Sequence, residues 1–209
     1  VIIPFAQEHP QIAFTVQAIY CELRDKCDFE IIVIDNHCEE LQLQLEEKGN
    51  KRDGGGEYMS SLATPERPWL KYVQYDVKLS HWNAKNYGVD TATGDYLFFV
   101  DSHCIPSPGS LSSMFEYYKD NYKQLNGTLH LPLSYMLERP GLELIYKLIS
   151  QPENGVVHYQ FSRYRAAREP YTVPCMSTCG MMMTREIYEK LHGWPSELGI
   201  YGGGEHFIN

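Results

Sequence analysis

Residues 94–104 read GDYLFFVDSHC. Leu97 to Val100 form an unbroken apolar run, as in strands covered on both faces. The run stops at Asp101, which is followed by Ser102 and His103. A buried strand here delivers a carboxylate and an imidazole, two residues apart, to solvent at its carboxyl end. Outward from this strand the same pattern repeats. FEIIVID (29–35) is β-branched and ends at Asp35-Asn36, and Leu70 to Tyr75 ends at Asp76. VIIPF (1–5) opens the chain as a short buried strand. Between these runs, Ile12, Val16, Ile19, Tyr20 and Leu23 recur at helical spacing. Residues 38–48, 80–92 and 107–124 also read as helices, the last starting behind Pro106 and Pro108.

A βαβαβαβ order predicts an α/β fold with a mostly parallel central sheet flanked by helices. Such sheets bind ligands outside the carboxyl ends of their strands. Three of those ends carry an acid: Asp35, Asp76 and Asp101. Residues 49–68 read as a surface loop, with Gly54-Gly55-Gly56 as a flexible linker. Residues 128–131 and 172–184 read as strands, and 139–150 and 185–192 as helices. Residues 150–170 read as a long loop that closes over or recruits a substrate. There, tyrosines (Tyr159, Tyr164, Tyr171) interleave with Arg163, Arg165 and Arg168, as an acceptor platform or an ordinary loop surface.

The 209 residues amount to one domain, 43% apolar and 22% charged, with a net charge of −9. The pI is near 5.3. An acidic surface disfavours nucleic acid as a partner. It leaves room for a phosphorylated small ligand held through a divalent cation. No apolar run reaches membrane-span length. The six cysteines are irregularly spaced, and reduced, partly buried thiols are expected over a disulfide framework. Cys175 and Cys179 are four apart, but no second pair completes a zinc site. A cytoplasmic location follows as an expectation.

Asp101 and His103 can share a divalent ion. A mixed oxygen and nitrogen set suits Mn²⁺ better than Mg²⁺. Taken alone, the pair reads sooner as an N-cap Asp and a surface His beside the turn before Pro106 than as a metal site. Asp35 and Asp76 have the same two readings, ligand contact or cap.

The run from His81 to His103, HWNAKNYGVDTATGDYLFFVDSH, resembles the family-2 glycosyltransferases. There a helix with a basic residue, Asn and Gly leads through an Ala-x-Gly-Asp turn into a metal-binding strand. Lys85, Asn86, Gly88, Gly94, Asp95 and Asp101 stand where that pattern expects them, with Lys85 in place of Arg. The family's Asp-x-Asp is Asp-Ser-His here, followed by Cys104. That variant is similar to the polypeptide N-acetylgalactosaminyltransferases, in which Asp and His both ligate Mn²⁺.

A later block, CGMMMTREIYEKLHGWPSELGIYGGGEHFIN (179–209), resembles the family's second motif through Gly180, Arg185, Glu186, Gly193, Trp194, Gly203, Gly204 and Glu205. The opening VIIPFAQEHP resembles the strand and loop that cradle base and ribose.

The resemblance covers residues 1–105 and 175–209 and implies a GT-A fold and transfer of a sugar from a nucleotide-sugar donor. By resemblance the donor is a UDP-sugar, and the acceptor a glycan or glycoprotein. The implied donor contacts are Pro4, Phe5, Ala6, Glu8, Asp35, Asn36, Asp76, Lys85, Asn86, Asp101, Ser102, Gly180, Gly203 and Gly204. The implied cofactor is Mn²⁺ (or Mg²⁺), held by Asp101 and His103. His206 is a third ligand, a sugar contact or a helix-start residue. Glu205 is the general base if the reaction inverts, and orients a sugar hydroxyl if it retains. Residues 1–105 then form the nucleotide-sugar half and 106–209 the acceptor half of one domain, a piece of a longer protein. The arrangement is also similar to the N-terminal domain of multidomain glycosyltransferases of large algal viruses, whose setting would be a host cytoplasm. A nucleotidyltransferase and a non-catalytic sugar-binding module are the rival readings. The first needs a Gly-rich basic loop after strand one, which AQEHP is not.

Overall fold

The computed structural model describes residues 1–134, 167–200, Gly204 and Ile208, and the backbone alone of 143–153 and 156–163. In chain order the elements are β1 (Ile2–Phe5), α1 (Gln11–Leu23), β2 (Ile31–Asp35), α2 (Glu39–Glu47), α3 (Gly55–Leu62), β3 (Leu70–Gln74), α4 (His81–Thr91), β4 (Tyr96–Phe99), α5 (Ser110–Leu125), β5 (Leu129–His130), β6 (Leu133–Ser134), β7 (Glu143–Glu153), β8 (Val156–Arg163), β9 (Met181–Thr184) and α6 (Arg185–Lys190).

The main sheet has the order β3-β2-β1-β4-β9-β5. The strands β1 to β4 run parallel, while β9 is antiparallel to both β4 and β5. The chain builds outward from β1 to β3, then crosses back to place β4 on the other side of β1. That reversal leaves a crevice between the loops after β1 and β4, where open α/β sheets take ligands.

Strand alternation explains both cores. Ile3, Ile31, Val33, Phe98, Val100 and Met182 point to one face, against α1, α3 and α5 residues such as Ile12, Ile19, Met59 and Tyr118. Ile2, Ile32, Ile34, Leu97, Phe99, Met181 and Met183 point to the other, against Trp82, Val89, Tyr188 and Trp194. Both faces are dry, which is why these strands show no polar alternation. On the second face α4 approaches closely at Gly88. A Cβ there would lie 2.7 Å from side-chain atoms of Ile2 and Ile34.

Four expectations from local pattern are corrected. The loop expected over 49–68 contains α3. Met59 drives this helix by burying completely in the first core, and Asp53 Oδ1 accepts from Gly55 N–H at 2.9 Å at its start. Gly55 and Gly56 are therefore packing positions, a Cβ on Gly56 meeting Asp35 Oδ2 at 2.3 Å, whereas Gly54 supplies the left-handed backbone at the helix start, with φ +78 and open space around it. Of the helix expected over 139–150, the described residues 143–150 belong to the strand β7. The loop expected over 150–170 contains β8, antiparallel to β7 from Leu144↔Arg163 to Glu153↔Val156. Leu144, Ile145, Leu148 and Ile149 fit helix and strand spacing alike, and non-local pairing decides between them. The strand expected over 172–184 shortens to β9.

The turn into β4 is tied to the sheet by Glu30. Its Oε1 accepts from Thr93 N–H at 2.5 Å, Thr93 Oγ1 at 3.0 Å and Gly94 N–H at 3.1 Å, and its Oε2 accepts from Lys71 Nζ at 2.5 Å. Burial pushes this carboxyl up, but the bonds from Lys71 and Thr93 outweigh it and hold its pKa at about 2. Glu30→Gln is expected to lose about 2 kcal/mol of stability at pH 7, the worth of hydrogen bonds to a charged group. Because the folded pKa is depressed, the Glu30 contribution is complete above pH 4.5 and fades as pH falls toward 2. Urea melts across that range should show the gap between wild type and variant closing.

Candidate active site

The crevice between the loops after β1 and β4 is a cleft of about 250 Å³. Pro4, Phe5, Ala6 and Glu8 line one wall, and Asp101, Ser102 and His103 the other. Asn36, Leu79, His81 and Ile200 complete it. Asp101 is largely buried, with 14% of its side chain exposed, whereas His103 is exposed at the mouth.

The environment of Asp101 is built by α4. Ser80 caps this helix by accepting from Asn83 N–H at 3.3 Å. His81 and Lys85, four apart, lie on one helix face. His81 Nε2 is 3.4 Å and Lys85 Nζ 3.6 Å from Asp101 Oδ1, an oxygen sealed from solvent that accepts no hydrogen bond in good geometry. Lys85 is completely buried. Its ammonium donates to Thr178 Oγ1 at 2.7 Å and sits 5.3 and 5.8 Å from the rings of Trp82 and Trp194. Burial pushes the Asp101 carboxyl up, but the Lys85 ammonium beside it outweighs burial and holds it below its ordinary value, as a carboxylate. Burial and the neighbouring Lys85 drive His81 down to about 3, so its ring is neutral at physiological pH.

The sequence matches the Glycosyl transferase family 2 profile over residues 1–192. The chain belongs to that family. A Drosophila melanogaster protein named as polypeptide N-acetylgalactosaminyltransferase 13 is 25% identical over 181 residues, 83% of this chain. The chain spans 31% of that protein's length. Among solved structures, GalNAc-T7 with UDP, GalNAc and Mn²⁺ superposes with a TM-score of 0.70 at 15% identity, over 98% of this chain and 38% of its own. The Pyrobaculum calidifontis mannosyltransferase PcManGT with GDP-Man and Mn²⁺ gives 0.54 at 16% identity, over 99% and 49%. These likenesses establish the GT-A fold.

In this family-2 domain the residues expected at the site divide into three groups. Pro4, Phe5, Ala6, Glu8, Asn36, Asp101, Ser102 and His103 share the cleft. Others are engaged in the scaffold. Asp35 is fully buried, paired with Arg52 and accepting from Tyr72 Oη at 2.6 Å. Burial and that bond push the Tyr72 hydroxyl up to about 12. Asn36 lines the cleft but spends its amide on Tyr75 O, Lys78 O and Ser80 N–H. Asn86 ties α4 to Trp194 and Tyr188. Glu8 accepts from the N–H groups of Ala6 and Gln7, closing its own loop. Gly180, at φ +92, bridges Phe99 O and Leu131 N–H. Gly204 accepts from Trp194 Nε1 at 3.0 Å, and a Cβ there would enter the Trp82 ring.

Asp76 is exposed and does not line the cleft. Gly203, Glu205 and His206 lie outside the described residues. So do the side chains of Tyr159, Arg163, Tyr164 and Arg165.

His81 was missed in the sequence, although its i, i+4 spacing from Lys85 was an available signal. Arg52 was missed because its partner Asp35 is remote in sequence. Cys104 was missed in the same way. Cys175 and Cys179 drew attention by spacing, yet the fold brings Cys104 to Cys179. None of the six cysteines is in a disulfide. The bond to Cys104 and burial together raise the Cys179 thiol far above its ordinary value.

Proposed function

We propose that this family-2 domain transfers a sugar from a nucleotide-sugar donor, with a divalent cation at Asp101 and His103 joining protein to diphosphate. The observation that carries this reading is the pairing of an ionised Asp101 with an exposed His103 on one wall of the crevice where the sheet reverses. The residues fit a divalent cation: one carboxylate and one imidazole face a common cleft, and no hydrogen bond of good geometry claims Asp101 Oδ1. That mixed donor set favours Mn²⁺ over Mg²⁺. When bound, such an ion supplies Lewis-acid stabilisation of the departing nucleoside diphosphate.

The chain's own residues do the rest. Phe5 and Ala6 form the wall for base and ribose. Lys85 keeps Asp101 ionised and in position, through Thr178 on one side and two indole rings on the others. Asp35, held by Arg52 and Tyr72, supports the base wall from behind. Gly203, Glu205 and His206 keep the roles implied by the family motif, with Glu205 as base or sugar-orienting carboxylate. UDP is the favoured nucleotide, supported by the Asp-x-His motif and by the UDP bound in the GalNAc-T7 structure. The acceptor is a glycan or protein. Thiols without disulfides suit a reducing compartment such as the cytoplasm. Among the described residues no helix is long and apolar enough to cross a membrane.

Calorimetric titration of UDP and UDP-sugars, with Mn²⁺ and with chelator, tests the reading. Heat of binding that requires Mn²⁺, and release of free sugar or glycosylated acceptor from one donor, are expected. UDP binding that is indifferent to chelator would overturn the metal assignment. Mn²⁺-dependent binding without any turnover would favour a binding module.

A further inference from the structure

Cys104 and Cys179 do not line the cleft, and the proposed reaction uses neither. Yet their two sulfur atoms and a carboxylate oxygen of Asp101 all lie within 4.8 Å of one another. Backbone geometry brings them there from two distant segments. Cys104 closes the turn after β4, its N–H donating to Asp101 O at 3.1 Å. Cys179 precedes β9, its N–H donating to Ser177 Oγ at 3.2 Å, while the next residue, Gly180, donates to Phe99 O at 2.8 Å. The backbones of both cysteines are therefore held in turns at the ends of adjacent strands, and Ser177 Oγ lies 2.7 Å from Cys179 Sγ. Cys179 is buried and Cys104 half-buried.

We propose that Asp101, Cys104 and Cys179 form a second metal site, selective for a thiophilic divalent cation of the zinc class. Two thiolates and one carboxylate are three ligands of a tetrahedral ion, leaving its fourth position open. Thiolate ligands select zinc-like ions, whereas Mn²⁺ prefers oxygen and imidazole. Two metal–sulfur bonds form as two S–H protons are released, and no electron transfer is involved. Asp101 is common to this site and to the cleft. A zinc-class ion therefore draws that carboxylate away from the cleft cation and opposes donor binding. The thiolate site needs only its three side chains; the competition rests on the manganese reading of Asp101.

Cobalt(II) titration of metal-free protein, kept reduced by a thiol-free phosphine, tests the site. The expected result is one Co²⁺ per chain with a thiolate-to-cobalt charge-transfer band that Zn²⁺ abolishes. Cys104→Ser and Cys179→Ser should each remove or strongly diminish the band and weaken Zn²⁺ binding at least about tenfold. Circular dichroism confirms the fold of each, and Mn²⁺-dependent UDP binding in the absence of zinc should be unchanged in both. Zn²⁺ should weaken UDP binding in wild type at concentrations that spare both serine variants. A missing band, or an identical band in both variants, would overturn the site. So would a mass two hydrogens lower, mapping to a Cys104–Cys179 disulfide that persists in the phosphine-treated metal-free protein. If UDP fails to bind with Mn²⁺ at all, the glycosyl-transfer reading is at fault, and the cobalt band still decides the thiolate site.

Discussion

Asp101→Asn is expected to weaken Mn²⁺-dependent UDP binding at least about a hundredfold, since removing even an outer-shell partner of a metal ligand costs up to about that factor. The substitution keeps the side-chain shape and removes the charge that both the proposed cation and Lys85 need. His103→Ala should fall in the same direction by a smaller factor, because His103 is exposed and water can take its place. Calorimetry of both variants with Mn²⁺ reads the two effects. Binding by Asp101→Asn within about threefold of wild type, where about 1.4 kcal/mol corresponds to tenfold, would show that the diphosphate is not held through this carboxylate. Circular dichroism guards against the trivial explanation that the variant is unfolded.

Lys85→Met is expected to lose about 3 kcal/mol of folding stability at pH 7, the usual cost of removing one partner from a buried ion pair. Methionine nearly preserves volume and still packs between Trp82 and Trp194. The loss therefore reports the Asp101 carboxylate left without its cation, together with an unpartnered Thr178 hydroxyl. In wild type, Asp101 titrates below 3.8, and the stability that this shift represents is present above that pH and lost below it. In the variant the sign reverses. Burial then raises the Asp101 pKa, so the folded state is favoured while Asp101 is protonated and penalised as pH rises through the raised value. The deficit against wild type should therefore shrink as pH falls toward 4, and Lys85→Met/Asp101→Asn should recover most of the loss at pH 7. Urea unfolding of the four proteins in this cycle gives the coupling directly. A double variant as unstable as the single one would mean that Lys85 acts through packing against the indoles and not through Asp101.

Much of the fold could be read from local pattern, and so could Asp101 and His103 on the cleft wall. Apolar runs such as Ile31–Ile34 and Leu97–Val100 announce strands covered on both faces, and their order implies a parallel sheet whose ligand edge carries Asp35 and Asp101. Pro4, Phe5 and Ala6 were implied by the resemblance of VIIPFAQEHP to the family's opening strand and loop, and the structure puts them on the cleft wall. Position in sequence also brought Asp101 and His103 together, since they are two residues apart on one turn.

What local pattern could not supply is where a polar side chain spends its hydrogen bonds, or which distant residue stands opposite it. Asp35, Asn36 and Asn86 have the right types at the right places, yet Arg52, the carbonyls at residues 75 and 78, and the Trp194 segment claim their side chains. Asp76 follows a strand as Asp35 does, but β3 is the edge of the sheet and its end projects past the crevice into solvent. Gly55 and Gly56 are packing positions because Phe5 and Asp35 stand against them, which composition does not show. The β7–β8 pair replaces a helix because strand pairing is rewarded by a partner elsewhere in the chain. His81 beside Asp101, and Cys104 beside Cys179, exist as neighbours through crossover and pairing of strands. Hydrophobic periodicity is local and survives in the sequence; proximity across β4 and β9 is created when the sheet closes, and carries no sequence signature.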